Sequence, residues 1–157
     1  MKVGVISDTH GILRAEALAA ISGTDLIIHA GDVGAPDILG RLRTLAPVVA
    51  VRGNIDRDPW ASTLPLTEVV ELETVMAYVI HDLDALDLDP VAAGIQVIIF
   101  GHSHRPEVRV RDGILYLNPG SAGPRRFSLP TTVAHLDILD GRPHARVIEL
   151  EIAGPGS

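Results

Sequence analysis

The 157-residue chain is 46% hydrophobic and 21% charged, apolar enough for one domain with a real core and too apolar for a disordered polypeptide. A net charge of −7, the lack of any Lys/Arg cluster and an aromatic content of 3% argue against the backbone or the bases of a nucleic acid as partner. Cysteine is absent, which excludes disulfides and thiolate-held metals and leaves oxygen and nitrogen as the ligands for any ion.

No apolar run approaches the roughly 20 residues that cross a bilayer, and the first one is cut by Ser7 and Asp8 far short of a signal-peptide core. A soluble, cytoplasmic protein is the expectation.

In chain order, Val3 to Ile6 reads as a buried strand delivering Asp8 and His10 to its carboxyl end. Leu13, Ala17, Leu18 and Ile21 recur at helical spacing, and Gly23 closes that helix. Asp25 to Ala30 is a second strand, stopping at Gly31-Asp32. Ala35 to Leu45 reads as a helix with Pro36 in its first turn and Ile38, Leu39, Leu42 and Leu45 on one face. Val48 to Val51 is a third strand, ending at Gly53-Asn54-Ile55-Asp56. Asp58 to Pro65, with two prolines and Trp60, reads as a surface connection.

Leu66 to Leu72 and Val75 to Ile80 have no helix between them and read as adjacent antiparallel strands, the second ending at His81. The acids of Asp82 to Pro90 suggest a solvated loop, with a short helix through Val91 to Ala93. Ile95 to Phe100 is a buried strand that stops at Gly101-His102-Ser103-His104. Beyond it the pattern is strand and turn: Glu107 to Val110, Asp112-Gly113, Ile114 to Leu117, Asn118-Pro119-Gly120-Ser121, then Thr131 to Leu139 and Ala145 to Ile152 around Asp140-Gly141. Leading βα units followed by antiparallel strands imply an α/β protein of two packed mixed β-sheets with helices on the outside. Residues 1–153 are expected to form one domain and 154–157 a frayed tail. The apolar middle strands leave pairing into a homo-oligomer open.

The polar residues at the strand ends are Asp8, His10, Asp32, Asn54, His81, His102 and His104. Successive steps from Asp8 to Asp32, Asn54, His81 and His102 are 24, 22, 27 and 21 residues, each about a strand and its return connection. Parallel strands expose their carboxyl ends on one side, so these residues would gather on one rim. Seven oxygen and nitrogen ligands exceed what one tetrahedral ion takes and suit two neighbouring ions that share a carboxylate. Singly, each has a plainer role: Asp8 as a helix cap, Asp32 and Asn54 as turn formers. Joint occurrence at five strand ends favours the metal. His29, inside an apolar strand, reads as a hydrogen-bonded core residue, and His135 and His144 as structural or exposed.

The ordered set Asp8-x-His10, Gly31-Asp32, Gly53-Asn54-x-Asp56, His81 and Gly101-His102-x-His104 resembles the calcineurin-like metallophosphoesterase family, and within it the small YfcE-type phosphodiesterases. The resemblance implies an α-β-β-α sandwich. It also implies that Asp8, His10, Asp32 and His104 hold one ion, with Asp32 bridging to a second completed by Asn54, His81 and His102. Manganese is the first choice, with nickel, cobalt, iron and zinc also suited to such a mixed site. The implied activity is dinuclear phosphodiester hydrolysis of a small phosphoester by a metal-bound hydroxide, Asn54 serving the reaction as well as the ion.

Many members of the wider family have a His after that Asn as leaving-group aid. This chain has Ile55, which has no proton to give, so good leaving groups are expected. Asp56 is the candidate substitute acid, against a structural turn role. The family's usual Gly after the fourth-motif His is Asp82 here. Arg125 is a candidate clamp for substrate phosphate, against a solvated loop. The alternative function is a non-catalytic protein-binding scaffold on the same fold, as in a related retromer subunit.

Overall fold

The computed structural model describes residues 1–126 and 128–152. The expected tail, 154–157, lies outside the described residues, as does residue 153. Among the described residues ten strands divide into two five-stranded sheets. The first sheet contains β1 (Lys2–Ile6), β2 (Leu26–His29), β3 (Val48–Ala50), β9 (Thr132–Leu139) and β10 (Arg142–Glu149), in the order β10-β9-β1-β2-β3. Its β1, β2 and β3 run parallel, and β9 returns antiparallel against β1. The second contains β4 (Thr67–Leu72), β5 (Val75–Ile80), β6 (Val97–Ile99), β7 (Glu107–Arg111) and β8 (Ile114–Asn118), in the order β4-β5-β6-β8-β7. There β5, β6 and β8 are parallel while β4 and β7 are antiparallel edges.

Period-2 alternation builds the core between the sheets. Val3 and Val5 of β1, Ile28 of β2 and Ala134, Leu136 and Ile138 of β9 meet Val75, Ala77 and Val79 of β5, Val97 and Ile99 of β6 and Leu115 and Leu117 of β8. The alternate residues Ile6, Ile27 and Val133 face the other way, against α1 (Ala15–Ile21) and α2 (Pro36–Arg43), which contribute Ala17, Ile21, Ile38, Leu39 and Leu42. Gly4 lets α1 sit close, since a Cβ there would lie 3.0 Å from that of Ile21.

The outer face of the second sheet, with Tyr78, Ile80 and Ile98, is covered differently. Leu83, Leu86 and Leu88 of the acidic segment lie on it, and this segment contains a 3₁₀ turn at Leu83–Ala85. At Val91 to Ala93 the chain makes a single turn instead of the expected short helix. Asp89 accepts from the N–H groups of Val91 and Ala92, and Gly94 follows at φ +75°, so the turn starts and stops within one cycle. Pro59–Thr63 is a second 3₁₀ turn, inside the expected surface connection. No helix among the described residues is long and apolar enough to cross a membrane.

Leu117, fully buried between the sheets, tests this packing. Leu117→Ala is expected to lower stability by about 2–5 kcal/mol in urea denaturation, through lost apolar burial and the cavity left behind.

Candidate metal centre

Each parallel strand near the sheets' common edge hands over to a loop carrying one or two candidate ligands. Asp8 and His10 follow β1, Asp32 follows β2, Asn54 follows β3, His81 follows β5, and His102 and His104 follow β6. The loops are tied together by their backbones: the N–H of Asp8 donates to Gly31, that of His10 to Asp32 and that of Gly101 to His81.

Five of these residues depart from the strands in the left-handed region: Asp8 at φ 56°, His10 at 48°, Asp32 at 56°, His102 at 71° and His104 at 63°. Asp and His tolerate that region better than most side chains, yet each such residue costs on the order of 1–3 kcal/mol and persists only where its surroundings fix it. The approach of the loops also requires two glycines. A Cβ on Gly101 would lie 2.7 Å from Asp8 Oδ2 and nearer still to Ser7 Oγ, and one on Gly53 would strike Asp32 Oδ1.

Asp8 Oδ1 is 3.3 Å from His104 Nε2 and 3.8 Å from Nε2 of both His10 and His81. Asp32 Oδ2 is 3.2 Å from His81 Nε2 and 3.5 Å from His10 Nε2. Two groups able to hold a cation result, Asp8-His10-His104 and Asp8-Asp32-His81, with their ligand atoms within 4.8 Å of one another. Asp8 is common to both, although Asp32 also reaches imidazoles of each. At the more exposed mouth, His102 Nδ1 lies 3.2 Å from Asn54 Oδ1, and the rings of His81 and His102 are 5.3 Å apart. All seven expected ligands therefore gather in one place.

The donor set fits a cation because its inner atoms have nothing else to bind. Asp8 Oδ1, His10 Nε2 and His81 Nε2 are buried without a hydrogen-bond partner, a costly condition for polar atoms. His81 Nδ1 contacts the Ala30 carbonyl at 2.7 Å, so it is the N–H nitrogen, and the neutral ring turns its Nε2 lone pair toward Asp8 and Asp32. Without an ion, protons answer this field. Burial works to raise the Asp8 pKa, but His10, His104, His81 and Ser7 outweigh it and hold the carboxyl far below its usual range. Burial likewise opposes ionisation of Asp32, and His81 overrides it downward. For His81 burial opposes the charged ring, while Asp32 and Asp8 push its pKa up.

Further hydrogen bonds hold the ligands in place, and among the residues that make them Ser7 carries no mark in the sequence. Ser7 Oγ donates to Asp8 Oδ2 at 2.7 Å and the His102 N–H to the same oxygen at 3.2 Å, which leaves Oδ1 facing the imidazoles. Asn118 Nδ2 donates to Gly101 O and Ser103 Oγ, fixing the loop that carries His102 and His104. Asn118-Pro119-Gly120-Ser121 carries the chain from the second sheet to the first, where Ser121 Oγ donates to the Asp8 carbonyl. A buried polar residue at a strand end was the available signal for Asn118.

Asp56, read from the sequence as either a substitute acid or a structural turn residue, is held by backbone donors. Its oxygens accept from the N–H groups of Gly53, Val33 and Gly34, at 2.9, 3.1 and 3.0 Å, so it staples two ligand loops together. Ile55 is 42% exposed beside Asn54. Asp82 caps the 3₁₀ turn through Asp84 N–H, and its Oδ2 lies 3.9 Å from His102 Nε2. Arg125 is exposed, two residues beyond Gly123, whose backbone lies against Asp8 and Thr9.

His29 behaves as the expected core residue. Its Nδ1 accepts from Gly31 N–H, so Nε2–H donates to Thr9 Oγ1, which in turn donates to the Val33 carbonyl. His135 donates to the Ala20 carbonyl and His144 is exposed.

Comparison with known proteins assigns a family to this combination of layered sheets and a carboxylate–imidazole cluster at their shared edge. The family model of the calcineurin-like phosphoesterase superfamily domain matches residues 1–141, and the chain belongs to that family, in its YfcE-type branch. It is 38% identical over 145 residues to a probable metallophosphoesterase of Methanothermobacter thermautotrophicus, covering 85% of this chain and 84% of that one. It is 30% identical over 161 residues to phosphodiesterase YfcE of Escherichia coli, covering 87% and 88%. The crystal structure of Chaetomium thermophilum Vps29 superimposes with a TM-score of 0.75 at 19% identity, covering 96% of this chain and 97% of that one, a likeness of fold.

Two predictions concern the supports. Asp56→Ala strands three backbone donors and is expected to cost about 3 kcal/mol in urea denaturation, whereas Asp56→Asn, which keeps one acceptor oxygen, should recover part of it. Burial, aided by His81 and opposed by Asp8, Asp56 and Asp32, lowers the His29 pKa to about 4. Between that value and the ordinary 6.5 the unfolded chain binds the extra proton. The stability tied to His29 is therefore complete above pH 6.5 and falls by about 3 kcal/mol as the pH drops to 4. The NMR signals of its ring should stay those of neutral imidazole at pH 5.

Proposed function

We propose that this member of the family is a dinuclear metal-dependent phosphodiesterase acting on a small phosphoester, with Asp8, His10, Asp32, Asn54, His81, His102 and His104 as ligands. The observation that carries the reading is the set of buried, partnerless atoms, Asp8 Oδ1 with His10 and His81 Nε2, turned toward one point. Two divalent ions, manganese first among them, would neutralise phosphate charge and acidify a water when bound.

The chain's own residues set what surrounds that chemistry. Only two carboxylates, Asp8 and Asp32, enter the cage; the other ligands are neutral imidazoles and an amide, so the loaded site stays attractive to a phosphate anion. Asn54 and His102 stand at the exposed mouth, where a substrate phosphate arrives. Ser7 and the His102 N–H hold one Asp8 oxygen so that the other stays directed inward. Arg125 is the candidate to clamp a non-reacting phosphate oxygen. Neither position considered for leaving-group aid supplies an acid: Ile55 has no proton, and Asp56 is occupied by three N–H donors. Esters with good leaving groups are therefore favoured. The second reading, a non-catalytic scaffold, is supported by the Vps29 likeness; the complete ligand set supports the enzyme.

Metal analysis should find about two ions per chain after loading with manganese, and bis(4-nitrophenyl) phosphate should be hydrolysed. Asp32→Ala should lower both the metal content and the rate, the latter by a factor of about 100 or more. Protein that binds no stoichiometric metal and leaves the ester intact would move the assignment to the scaffold.

A further inference from the structure

A cavity of about 460 Å³ opens directly beside the mouth of the metal centre, and Asn54, His81 and His102 form one of its walls. Its size lies within the range that holds an organic ligand of some tens of atoms and far exceeds the needs of a bare phosphate. The other walls come from elements that ligand placement does not require. Leu66, just before the edge strand β4, is 62% exposed there, and Tyr78 and Ile80 come from the outer face of β5. Ala85 lies in the 3₁₀ turn that covers this end of the sheet.

The cavity exists because a short acidic segment, not a full helix, covers the outer face of the second sheet. Leu83, Leu86 and Leu88 pack down on Tyr78 and Ile80, leaving space beside β4. The charges at this space are uneven: Asp82 and Asp87 against Arg52. Two carboxylates there oppose a second anionic group and favour a neutral or cationic one. Apolar walls next to phosphate-binding ligands thus divide the site into a charged half and a largely apolar half.

We infer that this cavity seats the organic group esterified to the phosphate, and that the preferred substrates carry a bulky, largely apolar, uncharged or cationic group, not a small alkyl or a second anion. This rests on the phosphodiesterase reading, since the phosphate must be held at Asn54, His81 and His102 for its substituent to enter. Leu66, Ala85, Asp82 and Asp87 are then the specificity-determining residues of this chain.

Three non-hydrolysable probes test the inference by calorimetry on the manganese-loaded protein: methylphosphonate, 2-naphthylmethylphosphonate and a naphthyl analogue bearing a carboxylate on the far ring. The naphthyl compound should bind about tenfold or more tighter than the methyl compound, and the added carboxylate should remove most of that gain. In Leu66→Asp and Ala85→Trp proteins, both altered at exposed positions, the naphthyl-to-methyl ratio should fall to about one. Equal binding of all three probes by the unaltered protein overturns the subsite while leaving the hydrolase reading intact. A ratio that persists in both variants places the naphthyl group elsewhere and also overturns it. Failure of every probe to bind, in protein that also takes up no metal, overturns the hydrolase reading and the subsite with it.

Discussion

The structure depends on a confrontation of acceptors. Asp8 Oδ1, fully out of solvent, is turned toward the imidazoles of His10, His81 and His104, while Asp32 Oδ2 closes on two of the same rings. The Ala30 carbonyl fixes the His81 tautomer so that its lone pair joins the group. Among the described residues only protons neutralise this cluster, and lone pairs held against one another oppose folding. Left-handed backbone at five of the ligands adds to that opposition. Such an arrangement survives because rigid surroundings supply more stability than the site removes, and because a cation turns the same contacts favourable.

Those surroundings are the two sheets. Small and β-branched side chains of β1, β5 and β6 let the layers pack closely, which brings the carboxyl ends of strands from different sheets to one edge. The contact across that edge is specific: a backbone N–H of the second sheet's loop, at His102, donates to the carboxylate of the first sheet's Asp8. Asp56 provides a similar tie within the first sheet, and Asn118 within the second. Precision at the centre therefore comes from residues that would touch no ion. An oxygen displaced by a fraction of an ångström loses most of its value as a ligand, which is why so many polar side chains are committed to holding others still.

Much of this was legible from residue order. Apolar runs that stop at Gly and a polar residue marked the strands and their functional ends, and the spacing between them identified the parallel units that gather Asp8, Asp32, Asn54, His81 and His102. Helix limits followed from Pro36 and Gly23, and two of the three two-residue hairpin turns among the described residues from Asp-Gly, the third being Glu73-Thr74. Less could be read where the partner decides the role. Asp56 has the chemistry of an acid and of a loop staple alike, and only the three N–H groups facing it make it the latter. The change of sheet after Asn118 was hidden, because local sequence carries no mark of it. The covering of the second sheet was equally hidden. Leucines spaced among aspartates fit a solvated loop and a half-buried cover, and the sheet beneath selects the second.

The position of β1 in the first sheet has a consequence for how the chain comes together. Its partners are β2, which begins twenty residues after β1 ends, and β9, made more than a hundred residues later. During synthesis the strand that leads into Asp8 and His10 therefore keeps one open edge until β9 has emerged. An open edge is a template for pairing with other chains, and long-range pairing of this kind is slow. The strand that closes this edge also secures the centre, because the turn before β9 carries Ser121, whose hydroxyl donates to the Asp8 carbonyl.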